Sequence, residues 1–301
     1  MGMILVGATV FVGVPGEVDE DAETGEPEDN DLAGEGIQSG SSLADMMLGS
    51  AGDDQINGYA EDDLIDGGAG EDHLLGAAGE DSLFGGDDPD RIWGGDDNDR
   101  LYGGAGADTL FGMFGNDLIE GGPGDDSAHG GMGDDLVSGG DGDDALHGNH
   151  DDDTLVGGAG ADTLFGGYGD DLVDGREEED VMSNVIDYLN GGDGDDTILA
   201  DEGDIVTGGE GADTVILGDW TFDGEEAEIM DFQPGEDSLL VVYDDTAQEA
   251  PEVEIRESMG IMHHVFVGQT LYATLLSEQA VTLADIQVVG QSAFDLPAGL
   301  V

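Results

Sequence analysis

A nine-residue sequence period runs through the middle of the chain and constrains its fold more than any other feature. From Gly49 to Asp174 the sequence divides into fourteen consecutive nonads with no change of phase. Position 1 is Gly and position 6 is Asp in every nonad, and position 8 is Ile, Leu or Val in all but one, where Ala128 stands. A short fixed period is typical of solenoids, in which each repeat packs only against its neighbours.

The remaining positions of the nonad are less regular. Position 2 is Gly in nine nonads and position 4 is Gly in ten. A degenerate copy, GSSLADMML, precedes the array at 40–48, and after a break over 175–183 the period resumes at Asp187 and ends with GGEGADTVI at 208–216. We interpret the break as a bulged loop in a continuing stack. The residues that replace glycine are Ser50, Tyr59, Ala77, Met113 and Asn149 at position 2, and Glu61, Asp88, Asp97 and Asp151 at position 4.

The spacing predicts that each nonad joins a glycine-rich turn of six residues to a strand of about three residues. One inward aliphatic side chain per strand is too little core for a single repeat, so the repeats must stack. Two nonads then make one coil of 18 residues, and coils lie at the ~4.8 Å spacing of neighbouring strands. The interior is filled by position 8, with Ile56, Leu74, Ile92 and Leu110 on one side and Ile65, Leu83 and Leu101 on the other.

The charge of the chain limits its partners. It has 74 Asp and Glu residues against 4 Arg and no Lys, a formal net charge of −70. Repulsion of this size opposes compaction unless cations neutralise it. Nucleic acid is excluded as a partner, because almost no side chain could neutralise phosphates, and anionic membrane surfaces are disfavoured for the same reason. No apolar run reaches the ~20 residues of a membrane span, and the absence of Cys excludes disulfides and thiolate metal sites.

Stacking would place the position-6 Asp residues in columns, with neighbours roughly 5 Å apart and about 1 kcal/mol of repulsion per pair even in water. Ca²⁺ takes oxygen ligands at about 2.3–2.6 Å, so two ligands across one ion span about 4.8 Å, whereas Mg²⁺ fits this spacing poorly. A merely solvated acidic face would mix Asp with Glu, but Glu never occupies position 6. We therefore predict that Ca²⁺ ions lie between coils, with turn carbonyls completing the ligand sets. The predicted ligands are Asp54, Asp63, Asp72, Asp81, Asp90, Asp99, Asp108, Asp117, Asp126, Asp135, Asp144, Asp153, Asp162, Asp171, Asp196 and Asp213.

The nonads resemble a known family. GGAGADTLF at 103–111 and GGDGDDALH at 139–147 match the repeats-in-toxin (RTX) nonapeptide G-G-x-G-x-D-x-U-x, in which U is aliphatic. The resemblance implies an all-β, right-handed parallel β-roll, a β-solenoid with Ca²⁺ held between successive turns by the position-6 Asp and turn carbonyls. It also implies an extracellular protein, exported by a type I secretion transporter that reads an uncleaved C-terminal signal, and folding that waits for extracellular calcium.

The chain divides into three regions at the level of sequence. Residues 1–39 contain an apolar stretch, Met3–Val14, and an acidic linker, and we interpret the stretch as a strand or cap in preference to a cleaved signal peptide. Residues 40–216 form the roll. Residues 217–301 predict a small antiparallel β region that includes strands within Val265–Leu276 and Val281–Gly290. The final FDLPAGLV is either the exposed end of an export signal or a frayed terminus.

No catalytic motif is recognisable. H-E-x-x-H and G-x-S-x-G are absent from the sequence, so we expect a non-enzymatic, structural or surface-associated protein. One alternative is a hydrolase- or toxin-related protein with an unrecognised active site in 217–301. Another is an acidic polymer that stays disordered and buffers cations.

Aromatic and histidine side chains raise further hypotheses. Position 9 should stack Phe84 on Tyr102 and Trp93 on Phe111 on the outer faces of the roll, because each pair lies one coil apart. The stacks either stabilise the sheets as ladders or form a surface for sugar or for self-association. His129 and His147 also share position 9, one coil apart, and could pair outside a turn, where a transition-metal role is one hypothesis. The adjacent His263 and His264 should point to opposite faces of a strand, which argues against an isolated metal site.

Overall fold

The structure of the protein, a computed structural model, describes residues 32–33, 36–176, 185–201, 203–218, 226–243, 245, 251–258 and 260–291. The described residues form strands, turns and bends and contain no α-helix. The strands up to the end of the repeats are β1 (Leu32–Ala33), β2 (Ile37–Ser39), β3 (Met46–Leu48), β4 (Gln55–Asn57), β5 (Leu64–Ala69), β6 (His73–Ala78), β7 (Ser82–Asp87), β8 (Arg91–Asp96), β9 (Arg100–Ala105), β10 (Thr109–Phe114), β11 (Leu118–Pro123), β12 (Ser127–Met132), β13 (Leu136–Asp141), β14 (Ala145–His150), β15 (Thr154–Ala159), β16 (Thr163–Tyr168), β17 (Leu172–Asp174), β18 (Tyr188–Asp193), β19 (Thr197–Ala200), β20 (Ile205–Glu210) and β21 (Thr214–Gly218). The tail contains β22 (Ala227–Ile229), β23 (Ser238–Tyr243), β24 (Val253–Ser258), β25 (Met262–Val267), β26 (Thr270–Leu276) and β27 (Ile286–Gly290).

The repeats alternate between two parallel sheets. Odd-numbered strands from β1 to β21 form one sheet and even-numbered strands from β2 to β22 form the other, each strand pairing with the strand two places along the chain. In the even sheet Leu110 pairs with Ile92 on one side and with Ala128 on the other, an offset of one 18-residue coil. The predicted all-β parallel solenoid with two nonads per coil is therefore confirmed.

The strands are longer than the sequence predicts. Most of them have six residues, running from position 7 of one nonad to position 3 of the next. Positions 1 to 3 continue the parallel pairing, as Gly131 with Asn149 and Met132 with His150 show. The expected division into a six-residue turn and a three-residue strand is thus wrong, because extended glycine-rich backbone also joins the ladder. The turn proper is confined to positions 4 to 6.

The core of the roll is a single file of position-8 side chains on each sheet. Those side chains are almost fully buried, and Ala128 is buried at the place where the aliphatic pattern fails. The file continues through Val206 and Val215 at the end of the roll, and Leu239 extends it into the tail. Burial of one aliphatic side chain contributes about 1.5–3 kcal/mol, so the stability of the roll accumulates coil by coil.

The stack continues across the break in the period. β16 pairs with β18 and β17 pairs with β19, although the chain between paired residues is seven residues longer than one coil. One residue is then lost, since the next coil offset is 17. Residues 177–184, in the middle of the break, lie outside the described residues.

The tail extends both sheets beyond the repeats. β22 and β26 continue the even sheet in parallel, and β23 and β27 continue the odd sheet in parallel. The predicted antiparallel region is present in β24, β25 and β26, which pair antiparallel at the edge of the even sheet. Both Met3–Val14 and the final FDLPAGLV lie outside the described residues.

Candidate metal centre

The position-6 Asp residues form two buried columns, because the coil period of 18 residues returns every second nonad to the same place. Within each column the backbone N–H of one Asp donates to Oδ1 of the Asp one coil further on, at 2.7–3.2 Å. The first column contains Asp54, Asp72, Asp90, Asp108, Asp126, Asp144, Asp162, Asp187 and Asp204. The second contains Asp45, Asp63, Asp81, Asp99, Asp117, Asp135, Asp153, Asp171, Asp196, Asp213 and Asp237.

The second carboxylate oxygen of most column residues has no hydrogen-bond partner. A buried acceptor left in this way costs about 1–3 kcal/mol, and more when it is charged. Such an atom recurring in coil after coil indicates a place for a cation. The unpartnered Oδ2 atoms belong to Asp63, Asp72, Asp81, Asp90, Asp99, Asp108, Asp117, Asp126, Asp135, Asp144, Asp153, Asp171, Asp196 and Asp213.

The space beside each Oδ2 explains the invariant Gly at position 1. A Cβ atom on Gly121 would lie 2.4 Å from Asp126 Oδ2 and 2.6 Å from the carbonyl oxygen of Gly139, one coil away. The carboxylate oxygen and the carbonyl oxygen therefore border the same small space. Gly121 has no positive φ, so this glycine is needed for room and not for backbone freedom.

The columns are electrostatically unfavourable without a counter-charge. Burial raises the pKa of Asp99 and Asp153 to about 8 and that of Asp117 to about 6, although the N–H of the neighbouring Asp opposes the shift. Charged neighbours in the column, Asp135 and Asp171, raise the pKa of Asp153 further. A cation beside these oxygens would favour the ionised form.

The ends of the columns differ from their middles. At the first coils, Asp45 Oδ2 accepts from the Ser41 N–H at 2.5 Å, and Asp54 Oδ2 accepts from both the N–H and the hydroxyl of Ser50. At the last coils the N–H of Asp201 donates to Asp204 Oδ2 at 2.7 Å, and that of Gln233 donates to Asp237 Oδ2 at 2.6 Å. At each end of the columns, local N–H groups therefore donate to the Oδ2 atoms, whereas most Oδ2 atoms of the middle coils have no hydrogen-bond partner.

Four column residues were missed at the level of sequence. They are Asp45, Asp187, Asp204 and Asp237. Asp45 could have been found as the sixth residue of the degenerate copy, and Asp187 marks the point where the period resumes. Asp237 lies outside the repeats, and only the pairing of β21 with β23 brings it into line.

A second ladder of side chains was also missed, at position 5 on the exposed edge of the turns. The N–H of Asp170 donates to Asp152 Oδ1 at 2.8 Å, and the N–H of Asp152 donates to Asp134 Oδ1 at 3.3 Å. These bonds run from later to earlier side chains, opposite to the position-6 columns. Consecutive turns are therefore tied from both sides.

The turn backbone survives where glycine is replaced. Eight of the nine replacements at positions 2 and 4 keep a positive φ, between 66° and 93°. Left-handed conformations cost non-glycine residues about 1–2 kcal/mol each, so the surrounding ladders hold these residues in place. The eight are Tyr59, Glu61, Ala77, Asp88, Asp97, Met113, Asn149 and Asp151.

The predicted ring stacks are present and longer than expected. Phe84 lies on Tyr102 with ring centroids 4.8 Å apart, and Trp93 lies on Phe111 at 6.0 Å. His129 and His147 are stacked at 4.7 Å, between Phe111 and Phe165, in the same column as Trp93.

The two tail histidines point to opposite faces of β25, as predicted. His263 is buried, whereas His264 is partly exposed and its Nδ1 lies 2.9 Å from the Thr274 hydroxyl. Among the described residues no three His, Asp or Glu side chains converge as a metal site. Any ion in the columns would therefore share carboxylates with backbone carbonyls.

A family comparison identifies the repeats. The model of the RTX calcium-binding nonapeptide repeat (4 copies) matches residues 39–74, 75–110, 111–146, 147–182, 186–204 and 204–219, more than half of the chain. The protein belongs to the RTX calcium-binding nonapeptide repeat family. Several calcium ions are therefore the cofactors of this RTX protein. The unpartnered carboxylate oxygens fit such an ion, since Ca²⁺ prefers carboxylate and carbonyl oxygens.

Neither a comparison with curated proteins nor a search of the described residues for membrane-spanning helices gave a match. No curated protein matches the chain. Within the part of the RTX protein that the structure describes, no helix has the length and apolar character needed to cross a membrane.

Proposed function

We propose that the chain is a secreted structural β-roll in which the position-6 Asp carboxylates and turn carbonyls hold Ca²⁺ between coils. The observation that carries this proposal is the row of buried Oδ2 atoms that lack a hydrogen-bond donor and border a neighbouring carbonyl. Bound Ca²⁺ supplies the positive charge that these oxygens lack. Asp63, Asp72 and the following column residues act as ligands, whereas the end residues, including Asp54, serve as caps whose Oδ2 is already engaged.

Calcium calorimetry on a charge-matched pair of variants tests the ligand assignment. Asp108→Asn with Asp126→Asn keeps an acceptor for the N–H ladder but removes two adjacent carboxylates from one column. We expect the number of bound ions to fall by at least one. Asp125→Asn with Asp143→Asn removes the same two charges from adjacent residues of the exposed position-5 ladder and should leave the number of bound ions unchanged. Equal stoichiometry in the double variant and the wild type would refute the assignment.

Export by a type I secretion transporter and an extracellular location complete the proposal. Its support is the family membership, because proteins with these repeats are typically secreted, together with the need for a calcium-rich compartment. Expression in a bacterial host with and without a type I transporter tests it. The protein should reach the medium only when the transporter is present, and equal retention in both hosts would contradict the proposal.

A structural, non-catalytic role is favoured by the arrangement of the tail. The tail has a cavity of about 320 Å³ lined by residues that include Met230, Phe232 and Glu278, and neither His263 nor His264 lines it. The two histidines therefore contribute no side chain to this cavity. A hydrolase screen of the full chain should give no turnover. Turnover that a point substitution in 217–301 abolishes would favour the hydrolase- or toxin-related alternative.

A further inference from the structure

The outer face of the even sheet carries an apolar groove between two columns of side chains. The ring column, at position 9, contains Trp93, Phe111, His129, His147 and Phe165. The outer column, at position 3, contains Phe114, Met132, His150 and Tyr168. Between them lies a groove of about 350 Å³ floored by Gly130, Gly131 and Asn149. We call this surface the aromatic groove.

Much of the apolar surface of the groove faces solvent. Phe114 is 48% exposed, Met132 50% and Tyr168 57%. Core packing does not explain these side chains, because the position-8 residues on the other side of the sheet fill the interior. In the odd sheet the corresponding outer column is polar or small, with Asp87, Ala105, Pro123 and Asp141 among its members.

Within the described part of the chain, no Asp, Glu or Arg side chain lines the groove, but its turn edge is acidic. Burial lowers the pKa of His129 and His147, which favours the neutral form of both imidazoles. Asp151 and Asp152 adjoin Met132, His150 and Tyr168 around a second depression on the same face. Asp134 and Asp170 continue this edge through the position-5 ladder. An occupant that complements the surface is therefore apolar along one side and cationic along the other.

The stacking geometry excludes the usual way of binding sugars. Rings in the column lie nearly parallel, with centroids 4.7–5.1 Å apart from Phe111 to Phe165. Each of these ring faces therefore covers its neighbour, and mainly ring edges border the groove. A sugar that stacks on an aromatic face finds no free platform inside this column.

The groove by itself is too small to form the interface of a stable dimer. Four strands, β10 to β16, span roughly 15 Å at the coil spacing, and positions 9 to 3 span roughly 10 Å. The footprint is on the order of 150 Å², against about 800 Å² per partner in a standard interface. An extended peptide rises about 3.3 Å per residue, so five or six residues match the length of the groove.

We propose that the aromatic groove binds an extended peptide segment in which apolar side chains are flanked by Lys or Arg. The apolar side chains lie between the ring column and the outer column, and the cations face Asp151 and Asp152. In an extended segment successive side chains lie on opposite faces, so every second side chain can enter the groove. The site uses the calcium-loaded roll only as a scaffold.

The test is fluorescence anisotropy with synthetic ten-residue peptides and the full-length protein in saturating calcium and 150 mM salt. The probe alternates valine and lysine, and a matched peptide replaces valine by serine while keeping every charge. We expect the valine peptide to bind at least ten-fold tighter than the serine peptide. Because the protein is highly acidic, this difference separates groove binding from general electrostatic attraction.

A double variant and a matched control locate the site. Met132→Ser with Tyr168→Ser should weaken binding of the valine peptide at least ten-fold, whereas Phe84→Ser with Tyr102→Ser, a ring pair on the odd sheet, should leave it unchanged. Circular dichroism and calcium stoichiometry of both variants verify that the roll is intact. Equal binding of the two peptides, or unchanged affinity in the groove variant, would overturn the proposal. Calcium-dependent dimers that the groove variant abolishes would also overturn it, in favour of a second copy.

Discussion

The sharpest prediction concerns a single methyl group at Gly121. In Gly121→Ala every carboxylate and the net charge are retained, but the new Cβ lies 2.4 Å from Asp126 Oδ2 and 2.6 Å from the Gly139 carbonyl. The contact is about 1 Å inside the optimal separation of roughly 3.5 Å between non-bonded heavy atoms. Overpacking of this kind costs about 1–3 kcal/mol. At roughly 2–4 °C per kcal/mol for a chain of this size, the Tm in calcium should fall by about 2–12 °C.

The same methyl group occupies the space that the proposal assigns to an ion. Calorimetry of Gly121→Ala should therefore show at least one calcium ion fewer than the wild type. Gly52→Ala is the control, because nothing lies within 4 Å of its Cβ and its φ is not left-handed. That variant should keep the wild-type stoichiometry and a stability within about 0.5 kcal/mol. A wild-type Tm and calcium count in Gly121→Ala would refute the steric reasoning.

Three further predictions follow from the columns and turns. Burial raises the pKa of Asp99 and Asp153 to about 8, so protonation of these carboxylates favours the folded state. The β signal of the calcium-free protein in circular dichroism should therefore increase as the pH falls from 8 to 4.5, whereas calcium affinity should increase as the pH rises over the same range. A calcium-free roll that is more stable at pH 8 would contradict this prediction. Asp97→Gly removes the strain of a non-glycine residue at a φ of 78° and should stabilise the calcium-bound form by about 1 kcal/mol in denaturant titration. The charge-matched variant Asp96→Gly should give no such gain. Equal effects of the two substitutions would contradict the strain argument. Asp152→Ala removes the acceptor for the Asp170 N–H and should lower the free energy of unfolding by about 0.5–1.5 kcal/mol. Asp152→Asn keeps an acceptor oxygen and should retain most of the stability. Identical denaturation midpoints for the Ala and Asn variants would show that the position-5 ladder contributes nothing.

The architecture of the roll could be predicted from the sequence because the repeat has a fixed phase. A period of nine with one inward aliphatic residue leaves stacking as the only way to build a core, and Ile92, Leu110 and Ala128 lie in register as that reasoning requires. The columns of Asp follow from the same arithmetic. The length of the strands did not follow, because composition alone does not show that glycine-rich residues join a ladder.

The reason for the invariant glycine at position 1 could be found only from the structure. The nine-residue pattern places Gly121 in a glycine-rich turn, but its backbone is not left-handed and its role is to leave room beside Asp126. Conversely, Asp97 and Met113 take left-handed conformations, which cost free energy in non-glycine residues. Met113 is held by its pairing with Gly95 and Gly131 in the adjacent coils. The turn that contains Asp97 is tied to the next coil by the Asn116 N–H, which donates to Asn98 Oδ1. Local preference gave way to the stack in both cases.

The ends of the columns depend on contacts that no periodicity encodes. Ser50 engages the Oδ2 of Asp54 and thereby sets it apart from the other predicted ligands, although Asp54 fits the repeat as well as any other position-6 residue. Asp237 joins the second column from outside the repeats, across an offset of 24 residues from Asp213. Such partners become visible only when the tail strands are placed on the roll.

Calcium removal from the full-length protein, followed by far-UV circular dichroism, tests the central claim most directly. The account predicts that EGTA at pH 7.5 abolishes most of the β signal, and that excess Ca²⁺ restores it while equimolar Mg²⁺ does not. Retention of the full β signal in EGTA would contradict the claim that calcium ions between the Asp columns hold the coils together.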